Sequence, residues 1–380
     1  MKVVIAPDSF KESLSAERVA RALADGWRSV MPEAELVELP LADGGEGTTQ
    51  ALVAATGGEM VRCRATGPLG APVEAVWGRI DATRAVIECA AASGLDLVPR
   101  DARDPWRATT RGTGELILAA LDSGARHIIV GLGGSATNDG GAGMLQALGV
   151  SLLDARGAAI GPGAAGLAQL AHIDISTMDP RLAEARFEVA CDVDNPLTGA
   201  EGASAIFGPQ KGADEVLVAR MDAALSNYAE LIQRCLGLSV ASIPGAGAAG
   251  GLGAAFLAFL DAELKPGIEI ILDAVEFDWH LQGADLLITG EGRIDGQTAR
   301  GKTPVGVARR AMRCRVPCVA LGGSVPTELA VLDRLAQEGI RAVFPILPGV
   351  STLEEALADA ERNLELSGRN LAAYWCCSQP

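Results

Sequence analysis

Short runs rich in β-branched and apolar residues alternate with longer helical patterns at both ends of this 380-residue chain. VVIA (3–6) and ELVEL (35–39) are separated by such a pattern near the N-terminus. ADLLITG (284–290), PCVALGG (317–323) and AVFPIL (342–347) are separated in the same way near the C-terminus. This alternation is typical of βαβ units, in which a helix connects two parallel strands. The two ends together predict one five-stranded, doubly wound parallel sheet.

The pattern changes in the middle of the chain. From Glu59, strand-like segments follow one another with only turn residues such as Gly67-Pro68 between them. This predicts an antiparallel meander rather than further βαβ units. We therefore predict an α/β domain with the doubly wound sheet, formed by residues 1–57 and 265–380. It is interrupted by a second, inserted α/β domain with a mixed sheet, residues 58–264.

Charge restricts the classes of partner. The chain has 48 acidic and 32 basic residues, a formal net charge of −16. A charge of this sign opposes binding to nucleic acid or to an anionic membrane surface, so neither is an expected partner. An anionic substrate would need local cations or a metal ion.

The cysteines and the apolar segments indicate a cytoplasmic protein. The eight cysteines form no CxxC pair, so we interpret them as reduced thiols. The apolar run at the N-terminus is too short for a signal peptide. The stretch from Cys235 to Leu260 lacks charge, yet Pro244 and its many glycines argue against a membrane-spanning helix.

Glycine and acidic residues are concentrated where the predicted strands end. These segments are APDSFK (6–11), LADGGEG (41–47), GLGGSATNDGG (131–141), CDVDNP (191–196) and TGEGRIDG (289–296). Ligands bind at the carboxyl ends of strands in open parallel sheets. Exposed N–H groups of glycine loops suit phosphate, and neighbouring carboxylates suit a divalent cation. The pattern predicts a metal nucleotide held for phosphoryl transfer.

Two short motifs need separate interpretation. GQTARGKT (296–303) fits the phosphate-loop pattern, but residues 291–295 intervene between it and the predicted strand. We interpret the match as coincidental and keep Lys302 as a phosphate neighbour at a helix N-terminus. GLGGSA (131–136) fits the dinucleotide pattern, with Asp154 about twenty residues further on. A nicotinamide enzyme is therefore an alternative.

Two single residues at strand ends support further hypotheses. Lys11 is either a solvated surface lysine or a contact to a phosphate or carboxylate. Asp192 is either the acceptor of an Asx turn or a general base or metal ligand. The three histidines share no spacing, so catalysis by histidine is not predicted.

Taken in order, these segments resemble the type 1 glycerate kinases from the first strand to the last helix. The motifs that carry the resemblance are VIAPDSFKESLSA (4–16), PLADGGEGT (40–48), TGPLG (66–70), GLGGSATNDGG (131–141), CDVDNPL (191–197), FGPQKGA (207–213), GAAGGLGAA (247–255) and TGEGRIDGQTARGKTPVGVA (289–308). The resemblance implies a flavodoxin-like domain with a second α/β domain inserted into it, and an active site between the two. It implies ATP and Mg²⁺ as cofactors and D-glycerate as the substrate. It favours 2-phosphoglycerate over 3-phosphoglycerate as the product.

Extended by chemical role, the resemblance assigns residues to this reaction. Asp192 is the expected general base, with Asp8 and Asp139 as competitors, and Lys11 is expected to act at the reacting centre. The remaining assignments are glycerate binding by Asp8, Ser9, Lys11 and Asn195; binding of the nucleotide phosphates by Gly133, Gly134, Ser135, Arg293, Lys302 and Thr303; and binding of Mg²⁺ by Asp43, Glu46, Glu291 and Asp295. Lys211 is a further candidate cation.

Two rival functions stay open on sequence alone. One is an NAD(P)-dependent oxidoreductase that uses the GLGGSA loop, and the other is a nucleotide-binding protein without catalytic activity. The expected ligands in the favoured interpretation are D-glycerate and ATP. A monomer and a homodimer are both open.

Overall fold

The computed structural model describes residues 1–42, 47–298 and 302–378 of the chain. It divides into two compact units. Unit 1 comprises Met1–Asp43, Ala54–Thr56 and Ile268–Pro380, and unit 2 comprises Gly44–Val53 and Gly57–Gly267.

The chain begins with two parallel strands and two helices. These elements are β1 Lys2–Ile5, α1 Ala16–Arg28, β2 Glu35–Glu38 and α2 Thr48–Thr56. Helix α1 begins where the Ser15 side chain accepts a hydrogen bond from the Arg18 N–H, which satisfies a donor that the first helical turn would leave unpaired. Helix α2 begins and ends at glycines, Gly47 and Gly57, that adopt left-handed backbone conformations.

Unit 2 contains a six-stranded mixed sheet and a short two-stranded one. Its elements after α2 are β3 Glu59–Thr66, β4 Pro72–Arg79, β5 Arg84–Glu88, α3 Ala90–Ser93, α4 Arg111–Asp122, β6 His127–Gly131, α5 Ala142–Ala147, β7 Ser151–Leu153, α6 Gly163–Leu167, β8 His172–Asp174, β9 Arg186–Ala190, α7 Ala203–Phe207, α8 Glu215–Leu236, α9 Ala248–Phe259 and β10 Glu263–Lys265. The large sheet has the order β10-β9-β6-β5-β4-β3. Strands β3, β4 and β5 pair antiparallel, whereas β5, β6, β9 and β10 pair parallel.

The chain then returns to the first sheet. The elements are α10 Gly267–Ala274, α11 Phe277–His280, β11 Leu286–Arg293, α12 Thr303–Arg313, β12 Cys318–Ser324, α13 Leu329–Gln337, β13 Ile340–Pro345, α14 Leu353–Ala358 and α15 Ala360–Ser378. The five parallel strands have the order β13-β12-β11-β1-β2. The predicted fold class is confirmed: a doubly wound parallel sheet is interrupted by an α/β insertion with a mixed sheet.

Each unit has its own hydrophobic core. In unit 1, Val3, Ile5 and Ile288 of the sheet pack with Trp27 of α1, all of them buried. In unit 2, strands β5, β6 and β9 contribute a second buried cluster together with helices α8 and α9. Burial of this apolar surface is the main stabilising contribution to both units.

Helices α1 and α15 of unit 1 pack unusually closely, because each has a glycine at the crossing. A Cβ atom at Gly26 would lie 2.0 Å from the Glu365 carbonyl oxygen, and one at Gly368 would lie 2.4 Å from the Leu23 carbonyl oxygen. Any larger residue at either position would push the helices apart.

One element differs from the sequence prediction. Strand β11 continues past Gly290 to Arg293, because Glu291 and Arg293 pair with Gly322 and Ser324 of β12. After β13, helices α14 and α15 meet at Asp359. Among the described residues, no helix has the length and apolarity that spanning a membrane requires.

Candidate active site

The first candidate group lies at the carboxyl ends of β1 and β11 in unit 1. Asp8, which follows β1, is 9% exposed and accepts hydrogen bonds from the Ser9 N–H (2.6 Å) and the Thr303 hydroxyl (2.9 Å). The Asp8 N–H in turn donates to the Gly290 carbonyl of β11. Asp8 therefore connects the end of β1 to the first residue of α12, and the structure brings Asp8 and Ser9, which the sequence analysis assigned to glycerate, next to Thr303, which it assigned to the nucleotide phosphates.

The surroundings of Glu291 shift the pKa of its carboxyl group strongly. Its side chain is buried beside β12, accepts a hydrogen bond from the Thr298 hydroxyl, and has an oxygen 3.8 Å from the Lys302 Nζ. Burial raises the pKa of Glu291 to about 7, and the charges of Asp8 and Asp295 act in the same direction, while Thr298 and Lys302 oppose it. Glu291 is thus poised between its neutral and ionised forms near neutral pH.

A cleft of about 720 Å³ opens over these residues. Its lining includes Asp8, Ser9, Lys11, Glu291, Arg293 and Lys302, all of which the sequence assigned to a site. The lining combines three cations, Lys11, Arg293 and Lys302, with three acids, Asp8, Glu12 and Glu291. The cations provide local positive charge for a small anion in a protein of strongly negative net charge. Arg293 is mostly exposed and pairs with Asp295 at 3.2 Å.

The structure describes two of the four predicted magnesium ligands, Glu291 and Asp295. Asp43 and Glu46 lie outside the described residues. Within the described ranges, no group of three histidine, cysteine or acidic side chains is arranged to hold a metal ion. Glu291 and Asp295 are nevertheless close enough for the charge of Asp295 to raise the pKa of Glu291. Their oxygens fit Mg²⁺, which is commonly bound through one or two carboxylates with waters and substrate phosphates completing the shell.

The second candidate group lies in unit 2, in the loop after β6. Gly133 and Gly134 are exposed, and Gly134 has a φ of +72°, a conformation that favours glycine. The loop is held from one side, where the Leu95 N–H donates to the Gly134 carbonyl at 2.7 Å and the Ala136 N–H donates to the Ser93 carbonyl at 2.9 Å. In the described structure the N–H groups of Gly133, Gly134 and Ser135 have no protein acceptor. Three successive donors of this kind form an anion-binding concavity.

Lys211 lies beneath this loop rather than in an open cleft. The residue is 2% exposed, and its Nζ donates to the Ser135 hydroxyl at 2.9 Å and to the Thr137 carbonyl at 2.7 Å. Burial lowers the pKa of Lys211 to about 8, although the nearby Cys89 and Asp139 oppose this shift. Sequence reasoning considered Lys211 only as a candidate cation of the cleft. Its position in FGPQKGA was a signal of importance, but the motif did not reveal its burial.

Asp139, which competes with Asp192 as the general base, is enclosed by protein. Its carboxylate accepts hydrogen bonds from the N–H groups of Thr110, Gly141 and Gly143 and from the Thr110 hydroxyl. The side chain has no solvent exposure, and burial raises the pKa of Asp139. Asp139 therefore organises the loop between β6 and α5 and cannot contact a ligand that arrives from solvent.

Asp192 and Asn195 lie in the loop after β9. Asp192 is exposed, and one of its oxygens accepts a hydrogen bond from the Gly267 N–H at 3.0 Å, at the start of α10. Asn195 donates through its side-chain amide to the Glu201 carbonyl at 2.8 Å. Asp192 combines the structural role of an acceptor with the accessibility that a general base needs.

The glycine loop does not continue as a dinucleotide-binding motif would. Helix α5 begins only at Ala142 and ends at Ala147, whereas the dinucleotide pattern leads directly into a longer helix. Asp154 accepts hydrogen bonds from the N–H groups of Arg156 and Ala158, which makes it a turn residue. GQTARGKT is only partly described, because residues 299–301 lie outside the described ranges.

Comparison with known proteins agrees with this site chemistry. The family model for the glycerate kinase family matches residues 3–376. A protein from Bacillus subtilis named glycerate kinase and one from Escherichia coli named glycerate 2-kinase are each 54% identical to the chain, over 98% of this chain and 97% of theirs. The crystal structure of a putative glycerate kinase 2 from Salmonella typhimurium is 53% identical, covers 100% of this chain and 99% of its own, and superposes with a TM-score of 0.92. The chain is therefore an enzyme of the glycerate kinase family.

Proposed function

We propose that the protein transfers the γ-phosphoryl group of ATP to the 2-hydroxyl of D-glycerate, giving 2-phosphoglycerate and ADP. The observation that carries the proposal is the run of three N–H groups at Gly133, Gly134 and Ser135, which have no protein acceptor in the described structure. Such a loop suits the oxygens of a polyphosphate. The name of the Escherichia coli relative, glycerate 2-kinase, supports the choice of product.

Glycerate binding is assigned to the cationic cleft of unit 1. Lys11 and Arg293 provide positive charge for the glycerate carboxylate, and Ser9 provides a hydroxyl for its polar groups. Lys302, Thr303 and Arg293 are assigned to the transferred phosphoryl group. Asp8 keeps the Thr303 side chain in place through its 2.9 Å hydrogen bond. Asp8 is also assigned to glycerate binding.

Asp192 is assigned as the general base that accepts the proton of the attacking hydroxyl. Asn195 is assigned to bind the substrate beside it. As the substrate oxygen bonds to the γ-phosphorus, Asp192 accepts the hydroxyl proton, and the bond between the γ-phosphorus and the bridging oxygen of ADP breaks. Asp43, Glu46, Glu291 and Asp295 are the residues that would hold Mg²⁺, which neutralises charge on the phosphate oxygens. A nearby cation would favour the ionised form of Glu291, whose burial otherwise favours the neutral form.

The cytoplasm is the proposed cellular location. All eight cysteines are free thiols in the structure, which accords with the reducing conditions of the cytoplasm. Free ATP and Mg²⁺ are also expected in that compartment.

Phosphorus NMR tests the proposed reaction directly. The protein is incubated with ATP, Mg²⁺ and D-glycerate, and the product signal is compared with those of authentic 2- and 3-phosphoglycerate. We expect ADP and 2-phosphoglycerate to form in equal amounts. ATP that persists unchanged would overturn the proposal, and a signal from 3-phosphoglycerate would overturn the assigned hydroxyl. L-Glycerate serves as the matched control substrate.

A further inference from the structure

A second cavity, of about 400 Å³, lies in unit 2 next to the glycine loop. Gly133 and Gly134 form part of its wall, so the cavity opens at the loop whose N–H groups have no acceptor within the described part of the chain. A cavity of this volume is within the range of small-molecule sites. A ligand that occupies it can therefore extend directly onto the loop.

Part of the cavity wall is apolar and accessible. Met60 of β3 and Leu97, in the turn after α3, are each 40% exposed, so both side chains are accessible to a ligand in the cavity. Val76 of β4 and Leu95 complete this surface. An accessible apolar wall inside a concave site is suited to a flat, uncharged ligand group such as a nucleobase.

The polar part of the wall contains three acidic residues beside the neutral Thr49 and Gln50. Glu74 and Asp96 present exposed carboxylates, and Glu88 lies deeper, where it accepts a hydrogen bond from the Thr49 N–H at 2.7 Å. None of the described residues that line this cavity is a lysine or an arginine. An anionic group is therefore disfavoured inside the cavity, whereas hydroxyl and amino groups find acceptors there.

We propose that this cavity binds the base and ribose of ATP, with the phosphates extending onto the N–H groups of Gly133, Gly134 and Ser135. Met60 and Leu97 contact the base, and Glu74 and Asp96 accept hydrogen bonds from the ribose hydroxyls or an exocyclic amine. This assignment rests on the proposed function, since it locates the nucleoside end of the same ATP. The described lining of this cavity contains no cation, whereas the cleft of unit 1 contains Lys11, Arg293 and Lys302, which suit the carboxylate of glycerate.

Binding of ADP and pyrophosphate to the full-length protein separates the nucleoside contribution from the phosphate contribution. Both ligands carry a diphosphate, so a charge placed in the cavity affects them similarly, and the ratio of their dissociation constants reports the base and ribose. The test variant is Leu97→Lys, with Met60→Lys as a second variant on another element. The control is Leu69→Lys, because Leu69 is similarly exposed (45%) in unit 2 but does not line the cavity.

We expect isothermal titration calorimetry to show that Leu97→Lys and Met60→Lys each weaken ADP binding about tenfold relative to pyrophosphate binding, as expected for the loss of about 1.4 kcal/mol of apolar contact. Leu69→Lys should leave the ratio unchanged. An unchanged ratio in both cavity variants, or an equal change in the control, would overturn the assignment. Wild-type protein that fails to phosphorylate glycerate with ATP would instead overturn the proposed function, so the two failures are distinguishable.

Discussion

Replacing Lys211 by methionine should change how the stability of the protein depends on pH and should weaken polyphosphate binding. In the folded protein, burial lowers the pKa of Lys211 from 10.5 to about 8. Between pH 8 and pH 10.5, the unfolded chain therefore keeps a proton that the folded protein has released. The free energy of unfolding of the wild type rises with pH through this window, because the unfolded state binds more protons there.

The magnitude follows from the size of the shift. One pKa unit corresponds to about 1.4 kcal/mol, so the full window contributes about 3 kcal/mol, of which about 2 kcal/mol falls between pH 8 and pH 10. Methionine has a similar length and no titratable group. The stability of Lys211→Met relative to the wild type should therefore fall by about 2 kcal/mol over that interval. The other charged or titratable groups near the ammonium, Cys89 and Asp139, are present in both proteins.

Urea unfolding at pH 8 and pH 10 measures this difference, with the exposed Arg100→Met as a control in the same unit. The same variant should bind pyrophosphate about tenfold more weakly at pH 7.5, because the Ser135 hydroxyl and the Thr137 carbonyl lose a charged donor beneath the loop. A difference in unfolding free energy between the wild type and Lys211→Met that stays constant with pH would refute the burial of the Lys211 ammonium group. Unaltered pyrophosphate affinity would refute its role in supporting the loop.

Three further predictions concern the proposed reaction. Asp192→Asn should lower kcat at least ~100-fold with little change in Tm, since asparagine still accepts from the Gly267 N–H; near-normal turnover would remove Asp192 as the base. Lys11→Ala should raise the KM for glycerate at unchanged Tm, and kinetic constants equal to the wild type would make Lys11 a bystander. The raised pKa of Glu291 means that the folded protein holds an extra proton between pH 4.5 and about 7, so wild-type stability falls by about 3 kcal/mol as pH rises through this window. Urea unfolding in the presence of EDTA should show that Glu291→Gln lacks this fall. Identical pH dependence of stability in the variant and the wild type would contradict the raised pKa of Glu291.

The sheet of unit 1 was predictable because its strands are buried on both faces and therefore form short apolar runs between helical patterns. The end of β11, in contrast, was not predictable from the sequence. Gly290 and Gly292 disfavour a strand locally, but pairing of Glu291 and Arg293 with β12 extends it. Long-range pairing of this kind cannot be read from local propensity.

The candidate site was partly predictable for a similar reason. Parallel strands place their carboxyl ends at the same edge of a sheet, so Asp8, Lys11 and Glu291 could be grouped from sequence, and the structure places all three around one cleft. Burial could not be predicted, because it depends on elements far apart in the chain. From sequence, Lys211 was a candidate cation of the cleft and Asp139 a possible base, yet both are enclosed by protein.

The apolar wall of the cavity next to the glycine loop had no sequence motif. This wall combines Met60 and Val76 of the antiparallel meander with Leu97 from a turn. Each is an ordinary apolar residue in isolation. Only the pairing of β3 with β4 and the position of the turn after α3 create a concave surface from them.

Amide NMR of the glycine loop tests the central claim most directly. With ¹⁵N-glycine labelling, the resonances of Gly133 and Gly134 are assigned by substitution and followed during titration with Mg²⁺ and a non-hydrolysable ATP analogue, and separately with D-glycerate. The account predicts large, saturable shifts of both amide resonances with the nucleotide and none with glycerate alone. Resonances that stay in place while the nucleotide saturates the enzyme would contradict the claim that this loop binds the phosphates.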